Sequence, residues 1–170
     1  IVRDGGGVTP DIVVEQEKLP NILFYLANDN LIFNYATNYC RKHATIAPAE
    51  QFKLTDADYA DFKAMVKAAD FKYDQQSEKI LKTLKEAAEF EGYMDGASAE
   101  FKALESKLAH NLDKDLNNFS KDIKNMISIE IIKRYYYQRG AIIEQLKDDN
   151  GLQEAVKVLA NQGKYKEMLT

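Results

Sequence analysis

The apolar residues of the chain recur at helical spacing from about residue 20 onward. Ile22, Leu23 and Leu26 share one face of a first predicted helix. Pro20 suits the first turn of that helix, and the pattern fades near Lys42. Many further apolar side chains widen the surface, which is typical of a helix that packs on two sides.

Five further stretches show the same periodicity. Thr55 has the side chain of a helix cap and marks the start of one of them. Asp95 and Gly96 predict a loop, and Asn117 and Asn118 predict a break. The predicted helices cover approximately residues 55–69, 74–91, 101–116, 121–148 and 152–159. The stretch 121–148 is the most apolar of them, so we expect it to form the most buried helix.

Residues 1–18 have a different pattern. Three glycines follow Asp4 and predict a flexible turn. The β-branched run Ile12, Val13 and Val14 is consistent with a short strand. The pattern as a whole therefore predicts a mainly α fold, a bundle of five to six helices preceded by a short extended or β segment at the N-terminus.

Composition and charge narrow the possible partners. The chain has 170 residues, of which 45% are hydrophobic and 29% charged, enough to bury the core of one ordinary domain. The net charge of -4 is spread over interleaved acidic and basic residues, which gives no electrostatic support for nucleic-acid binding. No apolar run approaches the length of a bilayer span. We expect neither a nucleic-acid partner nor a membrane span.

The residues that most often ligate metals are few. Cys40 is the single cysteine, so it has no partner for a disulfide within the chain. His43 and His110 lie far apart, without an accompanying carboxylate motif. We expect no metal site and no cofactor, with Cys40 as a small core residue and both histidines at the surface or at helix ends.

Two serine–lysine pairs are candidates for nucleophilic catalysis. Ser120 precedes Lys124 by one helical turn, and Ser77 lies near Lys79. A serine–lysine dyad requires a desolvated lysine and donors for an oxyanion. Because the sequence around both pairs is polar and lacks glycine, we expect ordinary helix surfaces and no catalytic residue.

Three consecutive tyrosines invite a binding-surface interpretation. Tyr135, Tyr136 and Tyr137 precede Arg139 on the most apolar predicted helix. Consecutive residues of a helix point in different directions, so one or two of these rings should pack with the hydroxyl at the core margin. We favour this packing interpretation over a ligand site.

The N-terminal motif resembles a known family. A glycine run from Gly5, an aliphatic residue, one variable residue, Pro10-Asp11 and the aliphatic Ile12 follow each other in that order. This order resembles the segment that closes the catalytic domain of C-terminal processing peptidases, also called tail-specific proteases. Asp4 replaces the first glycine of the usual run, as in the Bacteroidetes branch. The tail is similar to that branch at residues 134–140, 146–149 and 155–159.

The resemblance implies that this chain is one part of a longer protein and that catalysis and substrate binding belong to other parts. Family members use a serine nucleophile and a lysine base, and carry a PDZ domain that binds substrate C-termini. Those motifs lie upstream of the glycine run, so no catalytic residue is carried over to this chain. Residues 1–18 would then end the upstream catalytic domain, and residues 19–170 would form a helical C-terminal domain. The start at Ile1, without a Met or a signal peptide, agrees with this expectation.

The expected function follows from that division. The chain would be a non-catalytic scaffold, lid or assembly module of a secreted serine endopeptidase in the periplasm or cell envelope. Its partners would be the protein's own catalytic and PDZ domains, protein or peptide substrates reached through them, and possible further copies. The alternative is a stand-alone helical adaptor or chaperone-like protein of the envelope. The reading frame upstream of Ile1 distinguishes the two.

Overall fold

The computed structural model describes residues 10–15, 18–74, 76–109 and 111–169. Helices are the regular elements of these residues. They are α1 (Asn21–Asn28), α2 (Leu31–Lys42), α3 (Asp56–Ala68), α4 (Gln76–Phe90), α5 (Met94–Leu108), α6 (Leu112–Asn118), α7 (Ser120–Leu146), α8 (Asn150–Ala160) and α9 (Gln162–Met168). The mainly α class is confirmed.

One hydrophobic core joins α1, α2, α3, α6 and the first part of α7. The most extensive contact between two helices is that of α2 with α7. The fully buried large side chains are Ile22, Leu26, Phe62, Val66, Leu116, Ile123, Ile127, Ile131 and Ile132. Because four of these isoleucines belong to α7, that helix is the centre about which the others pack.

The long helix α7 folds back on itself. Tyr137 has φ 56° and ψ -156°, outside the helical range, and divides α7 into a long arm (residues 120–136) and a short arm (residues 138–146). Lys121 Nζ lies 3.6 Å from Asp148 Oδ2. A straight helix would separate these residues by about 40 Å. The expected deep burial therefore holds for the long arm, whereas Ile142 and Leu146 on the short arm are exposed.

Two peripheral helix pairs lie outside this core. The helices α4 and α5 pack on each other, as do α8 and α9. Lys85 Nζ, on α4, contacts Glu105 Oε1, on α5, at 2.7 Å. Leu81 is the buried residue of α4, and α5, α8 and α9 have none among the described positions. Within the described ranges, no helix is both long enough and apolar enough to cross a bilayer.

The predicted number of helices was too small, since the described residues form nine. The first predicted helix is broken where Asn30 adopts φ 58°, which separates α1 from α2. The stripe predicted as one helix over residues 101–116 ends at Ala109, and α6 begins anew with Asn111 as its cap. Asp95 and Gly96 were predicted as a loop and lie in α5. An additional helix, α9, follows α8.

The strand predicted at Ile12, Val13 and Val14 is absent from the structure, in which no described residue belongs to a strand. A β-branched run forms a strand only where another strand supplies its hydrogen bonds, and no such neighbour is present in the described ranges. The side chain of Val13 is 75% exposed. The glycine turn, predicted within residues 1–9, lies outside the residues that the structure describes.

Candidate functional site

In the first serine–lysine pair, Ser120 and Lys124, the lysine forms an ion pair with an aspartate. Lys124 Nζ, on α7, lies 2.6 Å from Asp56 Oδ1, at the start of α3. It also lies 5.2 Å from the centre of the Tyr59 ring. The hydrogen bond from Lys124 lowers the pKa of Asp56. The ion pair ties α3 to α7. A catalytic dyad needs a neutral lysine beside the serine, so Lys124 in this geometry does not activate Ser120.

In the second serine–lysine pair, Ser77 and Lys79, the lysine also forms an ion pair with an aspartate. Lys79 Nζ lies 2.5 Å from Asp74 Oδ2, and both side chains are exposed. The hydrogen bond to Asp74 raises the pKa of Lys79. A lysine that serves as a general base needs a lowered pKa, so Lys79 is shifted in the wrong direction to deprotonate Ser77.

Sequence reasoning overlooked Ser128. This residue lies on the long arm of α7, is only 4% exposed, and is the buried polar residue of the described structure. The available signal was a serine inside the apolar stripe that runs from Ile123 to Ile131. Lys124, one turn earlier, is bound to Asp56 and is therefore no base for it. Ser128 is thus part of the packing between helices.

His43 ends α2 and has structural contacts. Its ring stacks on Tyr39 with 4.0 Å between ring centres, and its Nδ1 lies 2.9 Å from the Tyr39 carbonyl oxygen. The described part of the chain contains no group of three or more side chains able to hold a metal ion. His110 lies outside the described residues, so its predicted surface position stays a prediction. Cys40 is a free, half-buried thiol.

Two of the three consecutive tyrosines pack with their hydroxyls at the core margin, as predicted. The hydroxyl of Tyr135 donates to the carbonyl oxygen of His43, and that of Tyr136 donates to the carbonyl oxygen of Ile46 at 3.1 Å. Burial and a hydrogen bond with Cys40 raise the pKa of Tyr135 to about 12. Tyr137 is 78% exposed. Two of the rings therefore hold the loop after α2 against α7, and the third marks the reversal of the chain.

Arg134 forms a polar link between α7 and α2 to which sequence reasoning assigned no role. Its Nη1 contacts Glu130 Oε1 at 2.7 Å, and its Nη2 lies 3.2 Å from Thr37 Oγ1. The guanidinium carbon also lies 4.7 Å from the centre of the Phe33 ring. The Arg134 guanidinium therefore pairs with a carboxylate, donates to a hydroxyl and stacks on an aromatic ring at the same time. These contacts together fix the register of α2 against α7.

A cleft of about 320 Å³ lies between α2 and α3. Its lining consists of Tyr35, Asn38, Tyr39, Lys42, His43, Asp58, Asp61 and Met65. The Tyr35 hydroxyl donates to the Asp58 carbonyl oxygen at 2.6 Å, and the Asp58 carboxylate accepts from the Thr55 backbone N–H at 3.0 Å. These groups complete a helix cap and an interhelical contact, so they are not arranged around a reacting atom.

A second groove lies between the N-terminal segment at residues 10–14 and the last two helices. It has a volume of about 430 Å³ and a mainly apolar lining. The lining residues are Pro10, Asp11, Ile12 and Val14 from the N-terminal segment, and Gly151, Glu154, Ala155, Val158, Leu159 and Met168 from α8 and α9. The Pro-Asp motif that follows the glycine run therefore lies beside the last two helices.

Comparison with known proteins identifies the helical part of the chain. A family model described as a probable PDZ-protease, C-terminal helical domain, matches residues 22–159. The match extends from α1 nearly to the end of α8 and so includes the whole buried core. No curated protein and no solved structure matched the chain. The chain belongs to the family of C-terminal helical domains of probable PDZ-proteases.

Proposed function

We propose that this chain is the non-catalytic helical domain of a serine C-terminal processing peptidase of the Bacteroidetes type, in which it acts as a scaffold or assembly module. The observation that carries the proposal is the family match over residues 22–159, the C-terminal helical domain of a probable PDZ-protease. The motif from Gly5 to Ile12, which resembles the end of a processing-peptidase catalytic domain, narrows the type of protease.

The geometry of the lysines supports a non-catalytic role. Lys124 and Lys79 are both bound to aspartates, at 2.6 Å and 2.5 Å. A lysine whose Nζ is engaged by a carboxylate is not free to accept a proton from a serine. The catalytic serine and lysine of the proposed peptidase would then belong to its upstream domain.

The groove between residues 10–14 and the helices α8 and α9 supports the scaffold role. Pro10 and Ile12 line the same groove as Val158 and Leu159 of α8. An upstream catalytic body attached through the glycine run would therefore be held next to α8 and α9. A partner joined by so short a connection acts at high effective concentration, which favours docking within one protein. Its own catalytic and PDZ domains are the proposed partners, and protein or peptide substrates would reach it through them.

The proposed localisation of the protein is the periplasm or another part of the cell envelope. This part of the proposal rests on the resemblance of residues 5–12 to an exported family. Fractionation of cells that express the full reading frame, with immunodetection of α4 and α5, would test it. Recovery of the protein with cytoplasmic markers would refute this part of the proposal.

A cleavage assay tests the absence of catalysis in this chain. Fluorogenic unstructured peptides with apolar C-termini would be incubated with the purified 170-residue chain and with the full-length protein. We expect no turnover by the chain and turnover by the full-length protein that is lost when an upstream serine is changed to Ala. Turnover by the chain that disappears in Ser128→Ala, Ser120→Ala or Ser77→Ala would contradict the proposal.

A further inference from the structure

The reversal of α7 depends on one residue in an unfavourable conformation. Tyr137 has φ 56° and ψ -156°, a region that glycine tolerates and that aromatic residues avoid. Its ring is mostly exposed, so burial of the side chain does not compensate for the strain. The turn contains neither glycine nor proline at residues 135–139. Nothing local in the sequence therefore requires the helix to end there.

The reversal is maintained by contacts that the short arm and the two residues after it make with the rest of the molecule. Lys147 Nζ donates to the Ala49 carbonyl oxygen at 2.9 Å, and Asp148 lies 3.6 Å from Lys121. Ala141 is buried, and Gly140 lies against Ile132, where an added Cβ would come within 2.7 Å of its Cγ2. If Tyr137 became helical, α7 would continue as one helix of 27 residues and lose these contacts within its own chain.

A second copy of the same chain can supply every contact that a straight α7 loses. We propose that two chains exchange residues 138–169, so that the short arm of each copy packs on the long arm of the other and carries α8 and α9 with it. The exchanged dimer keeps the same contacts across chains, because the packing surfaces are identical in both copies. It also relieves the strain at Tyr137 in two chains. A short connection under strain is the condition under which such exchange is favoured.

The first test compares the association of the chain with that of a hinge variant. The unchanged chain is refolded at increasing concentration, and its mass is measured by size-exclusion chromatography with light scattering. We expect a dimer that grows with concentration and interconverts slowly with the monomer. Tyr137→Gly should raise the dimer dissociation constant on the order of a hundredfold, because glycine removes the strain and disfavours the straight helix. It should not lower the melting temperature.

A matched control separates the hinge from a general effect of losing a tyrosine. Tyr93 is also exposed, but it precedes α5 with φ -87° and lies outside α7. Tyr93→Gly should leave the dissociation constant unchanged. Insertion of two glycines after Tyr137 gives a second hinge variant, which should also favour the monomer because a longer connection closes without strain.

The second test asks which chain each short arm contacts. In a Cys40→Ser background, one chain carries Lys121→Cys and another carries Asp148→Cys. The two are mixed, refolded together and treated with a short bifunctional maleimide. Exchange predicts covalent dimers that contain one chain of each kind. A monomer at all concentrations, a dimer that Tyr137→Gly does not weaken, or a dimer without this cross-link would each overturn the proposal.

Discussion

Tyrosine hydroxyls join distant segments of this chain by donating to backbone carbonyls. Tyr59, on α3, donates to the Leu116 carbonyl oxygen of α6 at 2.5 Å. Tyr35, on α2, donates to the Asp58 carbonyl oxygen at 2.6 Å. The Tyr59 bond is buried, whereas the Tyr35 bond is part-buried at the cleft between α2 and α3. Loss of the Tyr59 hydroxyl should therefore cost more, because it removes a partner from the buried Leu116 carbonyl oxygen. Burial also disfavours the tyrosinate form of these side chains.

The buried Tyr59 predicts a specific loss of stability at alkaline pH. Burial raises its pKa from 10.0 to about 12. The folded state therefore keeps a proton that the unfolded state releases, and this stabilisation is complete below pH 10 and is lost as the pH rises through about 12. We expect the melting temperature to fall across that window. Tyr59→Phe should make the fall shallower and cost about 1 kcal/mol at neutral pH.

Thermal denaturation monitored by circular dichroism between neutral pH and pH 12 measures both effects of the Tyr59 substitution. Tyr93→Phe is the matched control, because this ring is exposed and should change neither the alkaline slope nor the stability at neutral pH. Equal slopes for the unchanged chain and Tyr59→Phe would show that other groups cause the alkaline loss.

At the scale of the element, the helix starts were more predictable than the reversals. Thr55 caps α3 as predicted, because its hydroxyl accepts from the Asp58 backbone N–H at 3.1 Å. The structure adds that Asp58 completes a capping box. The breaks at Asn30 and Tyr137 occur where the backbone adopts a positive φ angle. Hydrophobic periodicity continues across both positions, so it predicted single long helices there.

At the candidate site too, local features were predictable from the sequence and contacts between distant residues were not. The polar surroundings of Ser120 and Ser77 led to the prediction that neither is a nucleophile, and this stays a prediction. The structure adds that the neighbouring lysines, Lys124 and Lys79, are held by aspartates. The partner of Lys124 was not predictable, because Asp56 lies on another helix and 68 residues away. Pairings of this kind depend on the packing of α3 against α7, which periodicity alone does not specify.

The close packing between the two arms of α7 predicts an unusual response to a helix-favouring substitution. A Cβ at Gly140 would lie 2.5 Å from Tyr136 Cβ and 2.7 Å from Ile132 Cγ2. Gly140→Ala should therefore lower the free energy of unfolding by about 1–3 kcal/mol through overpacking, although Ala is the better helix former. Chemical denaturation measures the change.

The chain provides the matched control at Gly96, inside α5, where an added Cβ would meet no atom within 4 Å. Gly96→Ala should raise the free energy of unfolding by about 0.5–1 kcal/mol, since only backbone entropy changes. An increase in stability for both variants would mean that the arms of α7 are less closely packed than the structure shows.

At the scale of the whole molecule, burial is distributed unevenly. The long arm of α7 contributes four fully buried isoleucines, whereas α5, α8 and α9 contribute no buried residue in the described ranges. Local stability follows the density of buried apolar contacts. The molecule therefore consists of a well-packed centre and two peripheral helix pairs that contribute little to holding it together.

Hydrogen exchange followed by mass spectrometry tests this distribution. We expect the slowest amides in α2, α3 and the long arm of α7, with exchange at the rate of global unfolding. Amides of α4, α5, α8 and α9 should exchange at least about 100-fold faster, because these helices open without the core. A dilute sample keeps the chain monomeric for the measurement. Uniform protection of all helices would refute the division.

The chain leaves the core before α4 and re-enters it after α5, and these two points are neighbours in the structure. Lys67, near the end of α3, lies 2.5 Å from Asp113 of α6, and the Tyr73 hydroxyl lies 3.0 Å from Asp115 Oδ2. A connection between such neighbouring points is open to insertion and loss of sequence during evolution. We expect related chains to differ most in length between residues 74 and 111, where selection on the common core is weakest.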